Sequence, residues 1–238
     1  MTVVEKELTA QRDPEPQPDP GLPAASGLAA TGPAATGPAA TGPAAWALVH
    51  SSGGPGAKER ILATANELFY HEGIRAVGVD RLISESRVTK ATFYKHFGAK
   101  ETLVVSYIQA RHEAVRDTLT DIVARTATTE AALHSMVDNV VDQAHSRDFR
   151  GCAFINAATE FPDSHHGVRE VVSAHRDWYT AFIADLFRRL GHPMPGDAAD
   201  EFVLLRDGTM SGGYASDPIA ASAAMQRCVR RLLAEVTP

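Results

Sequence analysis

Apolar residues recur with helical spacing along most of the chain after residue 56. The first such stripe ends at Gly73 and consists of Ile61, Leu62, Ala65, Leu68 and Phe69. Spacing at i, i+1, i+4, i+7 and i+8, closed by a glycine, is typical of an amphipathic α-helix. The pattern predicts a first helix that buries one face.

Two short helical patterns follow and meet at a tight turn between residues 79 and 100. The apolar residues that can hold these helices together are Leu82, Ile83, Val88, Phe93 and Phe97. The second helix then has a small, basic and aromatic outward face, formed by Lys90, Thr92, Tyr94, Lys95 and His96. Lysine neutralises phosphates, and hydroxyl groups donate hydrogen bonds to phosphate oxygens. The pattern predicts a helix-turn-helix unit that lies in a DNA groove.

Longer helical patterns fill the remainder of the chain, at about residues 100–126, 130–145, 164–190, 197–214 and 217–236, with a short apolar segment at 151–161. Asp197 is expected to cap the eighth helix, and Asp217 with Pro218 is a strong start signal for the ninth. There is no convincing alternating strand pattern. The predicted fold is all-α, with about nine helices.

Three parts of the chain differ in composition. Residues 1–56 contain the repeat ATGPA at Ala30, Ala35 and Ala40, and their Pro and Gly content predicts a disordered tail. Residues 57–101 are predicted to form the helix-turn-helix domain. Residues 102–238 are predicted to form a helical domain for effector binding and dimerisation.

The distribution of charge supports this division. The whole chain has a net charge of −6, which by itself argues against a nucleic-acid partner. Residues 57–112, however, hold nine Lys and Arg residues against six Asp and Glu residues, a net charge of +3. The positive charge is therefore concentrated around the helix-turn-helix, and the acidic remainder would limit nonspecific binding.

Several classes of protein have no support in the sequence. Cys152 and Cys228 are too few for a disulfide framework or a cysteine-based zinc module, and the His165-His166 pair and His175 lack metal-ligand spacing. We expect no metal and no cofactor. The absence of a long apolar stretch or a secretory signal predicts a cytoplasmic protein without membrane contact. No catalytic motif is present, so an enzyme is not expected.

The segment from Lys58 to Leu103 resembles the DNA-binding domain of the tetracycline-repressor (TetR) family of transcription regulators. The resemblance covers the first helix, the run VTKATFYKHF at 88–97, and the Lys-Glu-x-Leu start of the fourth helix. It implies that Thr89, Lys90, Ala91 and Thr92 lie next to base edges. It further implies that the backbone phosphates are contacted by Tyr94, His96 and Lys100, with Lys95 nearby.

Two residues depart from the family pattern. Arg87 stands where the family usually has Gly in the turn, and a positive φ there would cost about 1 kcal/mol. Arg87 could offset this cost by reaching a phosphate, so it is a further candidate for DNA contact. Ala99 stands where a capping Ser or Asp is common and cannot supply a side-chain acceptor.

The resemblance also implies a homodimer formed by the last two long helices. The predicted seam consists of Leu204, Leu205, Gly208, Gly212, Ile219, Met225, Val229 and Leu232, although burial within one subunit is the alternative. A dimer makes mechanical sense, because two recognition helices can read the half-sites of a palindromic operator in double-stranded DNA.

A ligand cavity is expected around the short sixth helix. A mostly apolar wall with a few polar anchors is typical of small-molecule sites. The candidate lining residues are Cys152, Asn156, Thr159 and Glu160, with Tyr107, Arg111, Met136, Trp178, Tyr179 and Phe182 as co-liners. Each of these is also a candidate for ordinary core packing.

The sequence thus predicts a ligand-responsive transcription regulator, with repression as the expected mode and the fourth helix as transmitter. The first alternative is a thiol sensor through Cys152, activated by Arg150 and by the start of the sixth helix. A second is a constitutive DNA-binding protein with a filled core. A third is a small helical enzyme, to which no motif points.

Overall fold

The computed structural model describes residues 56–236, and every regular element in this range is an α-helix. The prediction of an all-α fold with about nine helices is confirmed. The predicted tail lies outside the described residues apart from Gly56. The described helices are α1 (Ala57–Glu72), α2 (Val79–Glu85), α3 (Lys90–Phe97), α4 (Lys100–Arg125), α5 (Thr129–Ala144), α6 (Ala153–Glu160), α7 (Gly167–Arg189), α8 (Pro195–Ala215) and α9 (Pro218–Ala234).

Helices α1 to α3 enclose a small apolar core. Leu82 of α2 and Phe93 of α3 are fully buried, and Phe97 closes the core at the end of α3. Ile83 and Val88 are partly buried against the same core. Burial of this size stabilises each large side chain by about 1.5–3 kcal/mol. The predicted packing of α2 on α3 is therefore confirmed, and it leaves the polar side of α3 free.

Helix α4 connects this core with the remaining helices. It packs against α1 and α3 near its start and against α5, α6 and α7 elsewhere. Leu103, Val104 and Ile108 are buried on its inner face. Its N-cap, Ala99, makes no side-chain hydrogen bond, as its sequence predicts.

The start of α8 differs from the prediction. The helix begins at Pro195, after Met194 as its N-cap, so Asp197 lies inside the first turn and does not cap it. Proline fits the first helical position because its missing N–H would have no partner there, and its fixed φ already suits a helix. The predicted start of α9 is correct, since the Asp217 carboxylate accepts from Ile219 N and Ala220 N at 2.8 and 3.0 Å.

Only part of the predicted dimer seam is exposed. Met225, Val229 and Leu232 are buried within the subunit, so assigning them to the seam was wrong. They point inward because α9 packs closely on α8 and on α5. By contrast, Leu204 and Ile219 are 69% and 73% exposed, which leaves an apolar surface on the outer side of these two helices.

His166, the second member of the predicted histidine pair, has a structural role at the start of α7. His166 is the N-cap of α7, and its Nδ1 accepts a hydrogen bond from Val168 N at 3.2 Å. Within residues 56–236 no group of three or more His, Cys, Asp or Glu residues could hold a metal ion. Among the helices of the same range, none combines the length and apolarity that crossing a lipid bilayer requires.

Candidate nucleic-acid interface and effector region

Helix α3 separates its residues cleanly into a buried side and an exposed side. Phe93 and Phe97 point into the core, while Tyr94 is 43% exposed. The other exposed residues of the turn and helix are Arg87, Thr89, Lys90, Ala91, Lys95 and His96, with Thr92 half-buried. We call Lys90, Ala91, Tyr94, Lys95 and His96 the outer face of α3.

The start of α3 is fixed by its own side chains. Thr89 Oγ1 accepts from Thr92 N at 3.2 Å and lies 2.9 Å from Thr92 Oγ1. Capping by threonine satisfies a backbone N–H that would otherwise lack a partner at the helix start. The hydroxyl pair therefore holds the leading end of the helix, where the residues predicted to face base edges lie.

Arg87 adopts the left-handed conformation that its position in the turn suggested. Its φ is +53°, and it is the one non-glycine residue with positive φ in the described part of the chain. Such a conformation costs an L-residue about 1–2 kcal/mol. Its side chain is exposed beside α3, so the guanidinium is available to a ligand of opposite charge.

The outer face of α3 presents uncompensated positive charge. Neither Lys90 nor Lys95 forms an ion pair among residues 56–236, whereas nearby Arg81 is held by Glu72 and Glu85. An unpaired cation can exchange its solvent for a phosphate without first breaking an internal contact. Together with Arg87, these groups suit a polyanion such as duplex DNA.

Lys100 is oriented differently from the other predicted DNA contacts. Its ammonium donates to the carbonyl of Ile74 at 2.6 Å and lies 5.8 Å from the centre of the Phe69 ring. Partial burial lowers the pKa of Lys100. In this conformation Lys100 therefore ties α4 to the turn between α1 and α2, and its contact with a phosphate stays a prediction.

Two side chains join the end of α1 to the segment around α6. The Tyr70 hydroxyl donates to the carbonyl of Gly151 and accepts from Arg150 N, both at 2.9 Å. At the other end of α6, the Glu160 carboxylate accepts from Ile74 N at 2.8 Å and from Arg75 N at 2.7 Å. We call these two contacts the α6 tethers.

Glu160 was predicted to line a ligand cavity, and this assignment does not agree with the structure. Its two carboxylate oxygens are taken by the backbone amides of the α1–α2 turn, and its own carbonyl accepts from Arg75 Nε at 3.0 Å. Gly73 suits the turn through its φ of +91°, because a Cβ there would be only in ordinary contact with Glu160 Oε1, at 3.5 Å. The residue therefore connects α6 with the DNA-binding helices.

Four of the ten predicted ligand residues are buried in the core. Tyr107, Met136, Cys152 and Tyr179 each have at most 5% of their surface exposed. Tyr107 packs edge-on against Phe69 at 5.6 Å, and burial raises its pKa to about 12. These side chains contact other core residues, which agrees with the alternative of ordinary core packing.

Arg111 extends into the same core from α4. Its guanidinium lies 4.7 Å from the centre of the Tyr70 ring and 5.7 Å from that of Tyr107. Its Nε and Nη2 are buried and have no hydrogen-bond partner among the described residues. The aromatic rings compensate part of the desolvation of this cation.

The other predicted ligand residues lie at the surface or at its edge. Trp178 and Phe182 pack on each other at 5.5 Å along α7 and are half-buried. Asn156 is exposed, and its amide donates to the Arg150 carbonyl at 2.7 Å. Thr159 is exposed and lines an open groove of about 340 Å³ between α6 and α7.

A polar network lies beside this groove and was not predicted. Arg206 of α8 places its Nη1 and Nη2 3.5 and 3.6 Å from the Cys152 sulfur. Asp207 accepts from Arg206 at 2.6 Å and from Arg176 of α7 at 2.7 Å. The cation beside Cys152 is therefore Arg206, whereas the predicted Arg150 instead bonds to the Tyr214 hydroxyl.

A buried histidine adjoins the network. His175 stacks on Phe154 at 3.6 Å, and its Nδ1 lies 3.0 Å from Nδ1 of His112. Burial, with a further contribution from the charge of Arg206, lowers the pKa of His175 to about 3. The ring is therefore neutral at physiological pH, and at least one of the two facing nitrogens must be an acceptor.

These geometries define a class of protein: an all-helical DNA-binding protein with an N-terminal helix-turn-helix and a larger helical region behind it. A sequence model described as bacterial regulatory proteins of the tetR family matches residues 61–107. The crystal structure of a TetR-family transcriptional regulator from Streptomyces coelicolor is 35% identical, with a TM-score of 0.73 over 76% of this chain and 96% of that chain. This chain belongs to the TetR family of transcription regulators.

Two curated relatives match a shorter part of the chain. The transcriptional regulator LmrA of Bacillus subtilis is 33% identical over 66 residues, and the transcriptional repressor NemR of Escherichia coli is 29% identical over 65 residues. These matches cover 27% of this chain and only 35% and 33% of the two relatives. The solved structure of reduced E. coli NemR, at 18% identity and a TM-score of 0.66 over 74% of this chain and 97% of that one, shares the fold.

Proposed function

We propose that this regulator binds a palindromic operator as a homodimer and represses transcription until a small-molecule effector releases it. The observation that carries the proposal is the outer face of α3, where unpaired cations and hydroxyl groups stand on a helix anchored by buried Phe93 and Phe97. Such a face supplies both phosphate contacts and side chains that can reach base edges. Its place of action is the cytoplasm, where it regulates and does not catalyse.

Dimerisation is supported by the apolar outer surface of α8 and α9. Leu204 and Ile219 are the two most exposed large apolar residues of the described chain. Gly208 is exposed on the same helix as Leu204 and would let a partner helix approach closely. We expect the variant Leu204→Glu to shift the protein from dimer to monomer in light scattering, and an unchanged mass would contradict this interface.

The test of DNA binding is the selection of bound duplexes from a random pool, followed by footprinting. A two-fold symmetric footprint is expected. The Lys90→Ala variant should relax base preference, and Tyr94→Phe should weaken binding about equally for all sequences. Arg125→Ala, which removes an exposed cation far along α4, is the matched control and should bind as the parent does. The assignment of α3 fails if both α3 variants behave like this control.

A second candidate function is thiol sensing through Cys152. The contact of its sulfur with Arg206 favours it, because a neighbouring cation stabilises the thiolate that reacts with oxidants. Hydrogen peroxide would convert the thiolate to a sulfenate and release water. The variant Cys152→Ser should then abolish peroxide-induced release from DNA and leave DNA affinity intact. Cys228→Ser is the control, since that sulfur also contacts an arginine, Arg231.

A further inference from the structure

The groove between α6 and α7 has one apolar wall and one polar edge. Its volume of about 340 Å³ is at the lower end of the range for small-molecule sites, so its occupant is small. The apolar wall consists of Phe154, Ile155, Ala158 and Val172. The polar edge consists of Thr159, Arg169, Ser173 and Arg176.

The charge of the groove is positive. Arg169, Ser173 and Arg176 follow each other at steps of four and three residues along α7 and therefore share one face of that helix. Among the described residues that line the groove, none is Asp or Glu. A ligand in the groove thus meets two guanidinium groups, of which that of Arg176 is also bonded to the carboxylate of Asp207.

Arg176 is the better of the two arginines for binding an anion. Its Nη1 is bonded to Asp207, whose other oxygen accepts from Arg206 at 2.6 Å. Because Asp207 keeps Arg206 as a partner, Arg176 can turn toward a second carboxylate without leaving an isolated buried charge. Arg169 donates through its Nη1 to the carbonyls of Phe161 and Pro162 at 3.1 and 3.5 Å, so turning it toward a ligand would break its contacts with the segment after α6.

We propose that this groove is the effector site and that the effector is a small carboxylate with an apolar body. The carboxylate binds Arg176, and the hydrocarbon or aromatic part lies along Ile155, Ala158 and Val172. A guanidinium binds a planar carboxylate through two parallel hydrogen bonds, which neither an alcohol nor an amine can reproduce. The consequence for DNA binding rests on the proposed function as a regulator.

The groove also lies next to a route toward the DNA-binding helices. Arg169 holds the carbonyl of Phe161, the residue that follows Glu160. Glu160 in turn holds the amides of Ile74 and Arg75, which open the turn before α2. A ligand that draws the positive edge of α7 toward itself therefore acts on the end of α6 and on one of the α6 tethers.

The experiment compares three probes with the same eight-carbon chain: octanoate, 1-octanol and octylamine. Calorimetric titration of the full-length protein should show octanoate binding about tenfold more tightly than octanol, with octylamine weakest. In Arg176→Gln, octanoate should lose about tenfold in affinity while octanol is unaffected. In Ser173→Phe, whose new side chain fills the groove from an exposed position, neither probe should bind.

Arg188→Gln is the matched control, because Arg188 lies on the same helix and is paired with Asp185 on the surface. It should bind octanoate as the parent does. Equal affinities for octanoate and octanol, equal losses in Arg176→Gln and Arg188→Gln, or no binding of octanoate at millimolar concentration would each overturn the proposal.

A second measurement separates this proposal from the proposed function. Octanoate should lower the affinity of the parent for its selected duplex and should not affect Ser173→Phe. Octanoate that binds without changing DNA affinity would refute the groove as effector site. A protein that binds no duplex even without octanoate would refute the proposed function instead, whatever the calorimetry shows.

Discussion

The helix-turn-helix and the helices behind it place their polar groups in opposite ways. In α1 to α3 the core is mostly apolar, with Asn66 and Ser86 as buried polar residues, and the cations of α3 face outward. Behind them, Cys152, His175 and Arg206 lie in the interior beside α6 and α7. An external face suits a rigid polyanion whose charges are always present. Internal polar groups have few alternative partners, so a change at one of them forces its neighbours to rearrange their hydrogen bonds.

The largest expected effect concerns the apolar side of this comparison. Phe93→Ala removes a fully buried ring from the core of the first three helices and should lower the free energy of unfolding by about 3–5 kcal/mol, measured by urea denaturation. Tyr94→Ala, one residue along on the exposed side, should cost under about 1 kcal/mol. Similar losses in the two variants would mean that α3 is not divided as described.

The interior polar groups should make stability depend on pH. His175 has a pKa near 3 in the folded protein and about 6.5 when unfolded, so only the unfolded state takes up its proton between these values. The contribution of the neutral His175 ring to the free energy of unfolding is complete above about pH 6.5. It is lost as the pH falls toward 3, by up to about 1.4 kcal/mol per pH unit. When the pH is lowered from about 7 to about 5, the free energy of unfolding of His175→Gln should therefore fall by roughly 2 kcal/mol less than that of the parent. The exposed control His134→Gln should follow the parent.

The junction between the two regions can be tested at Glu160. Glu160→Gln replaces one of the two acceptor oxygens by an NH₂ group that faces a backbone N–H, at a cost of about 1–2 kcal/mol. The amides of Ile74 and Arg75 should then exchange their hydrogens faster. Glu170→Gln, on the exposed side of α7, is the control. Unchanged exchange at both amides would show that this tether does not hold the turn.

The smallest effect is expected at Arg87, where stability and DNA binding should change in opposite directions. Arg87→Gly relieves the positive φ and should raise the free energy of unfolding by about 1 kcal/mol. If Arg87 contacts a phosphate, the same change should weaken DNA binding and reduce the salt slope of binding by about one. A variant that is more stable and binds DNA as tightly as the parent would remove Arg87 from the interface.

The helix-turn-helix could be predicted from sequence because its determinants are local. The spacing of Leu82, Phe93 and Phe97 decides which side of each short helix is buried, and the position of Arg87 in the turn suggested its positive φ. The start of α9 was equally readable, since Asp217 and Pro218 are adjacent. Asp197 misled because an acidic residue in the first turn and an N-cap carry the same sequence signal.

The effector region resisted prediction because its contacts are distant in sequence. Cys152 and Arg206 are 54 residues apart, and Tyr70 and Gly151 are 81 apart. No periodic pattern reports which polar residue of one helix will face a given residue of another. The i, i+4, i+7 run Arg169, Ser173, Arg176 was visible as a polar face of α7, but only the packing of α6 turns it into the edge of a groove.

The α6 tethers restrict how the helix-turn-helix can reorient. Tyr70, near the end of α1, bonds to Gly151 just before the eight-residue helix α6, and Glu160, the last residue of α6, bonds to the turn that follows α1. For the helix-turn-helix to slide past the helices behind it, both α6 tethers would have to break at the same time. If one of the two α6 tethers breaks, the other acts as a pivot. The first motion available is then a rotation of the DNA-reading helices about Tyr70 or about Glu160. Whichever bond opens first would set the direction in which α3 leaves the groove of its duplex.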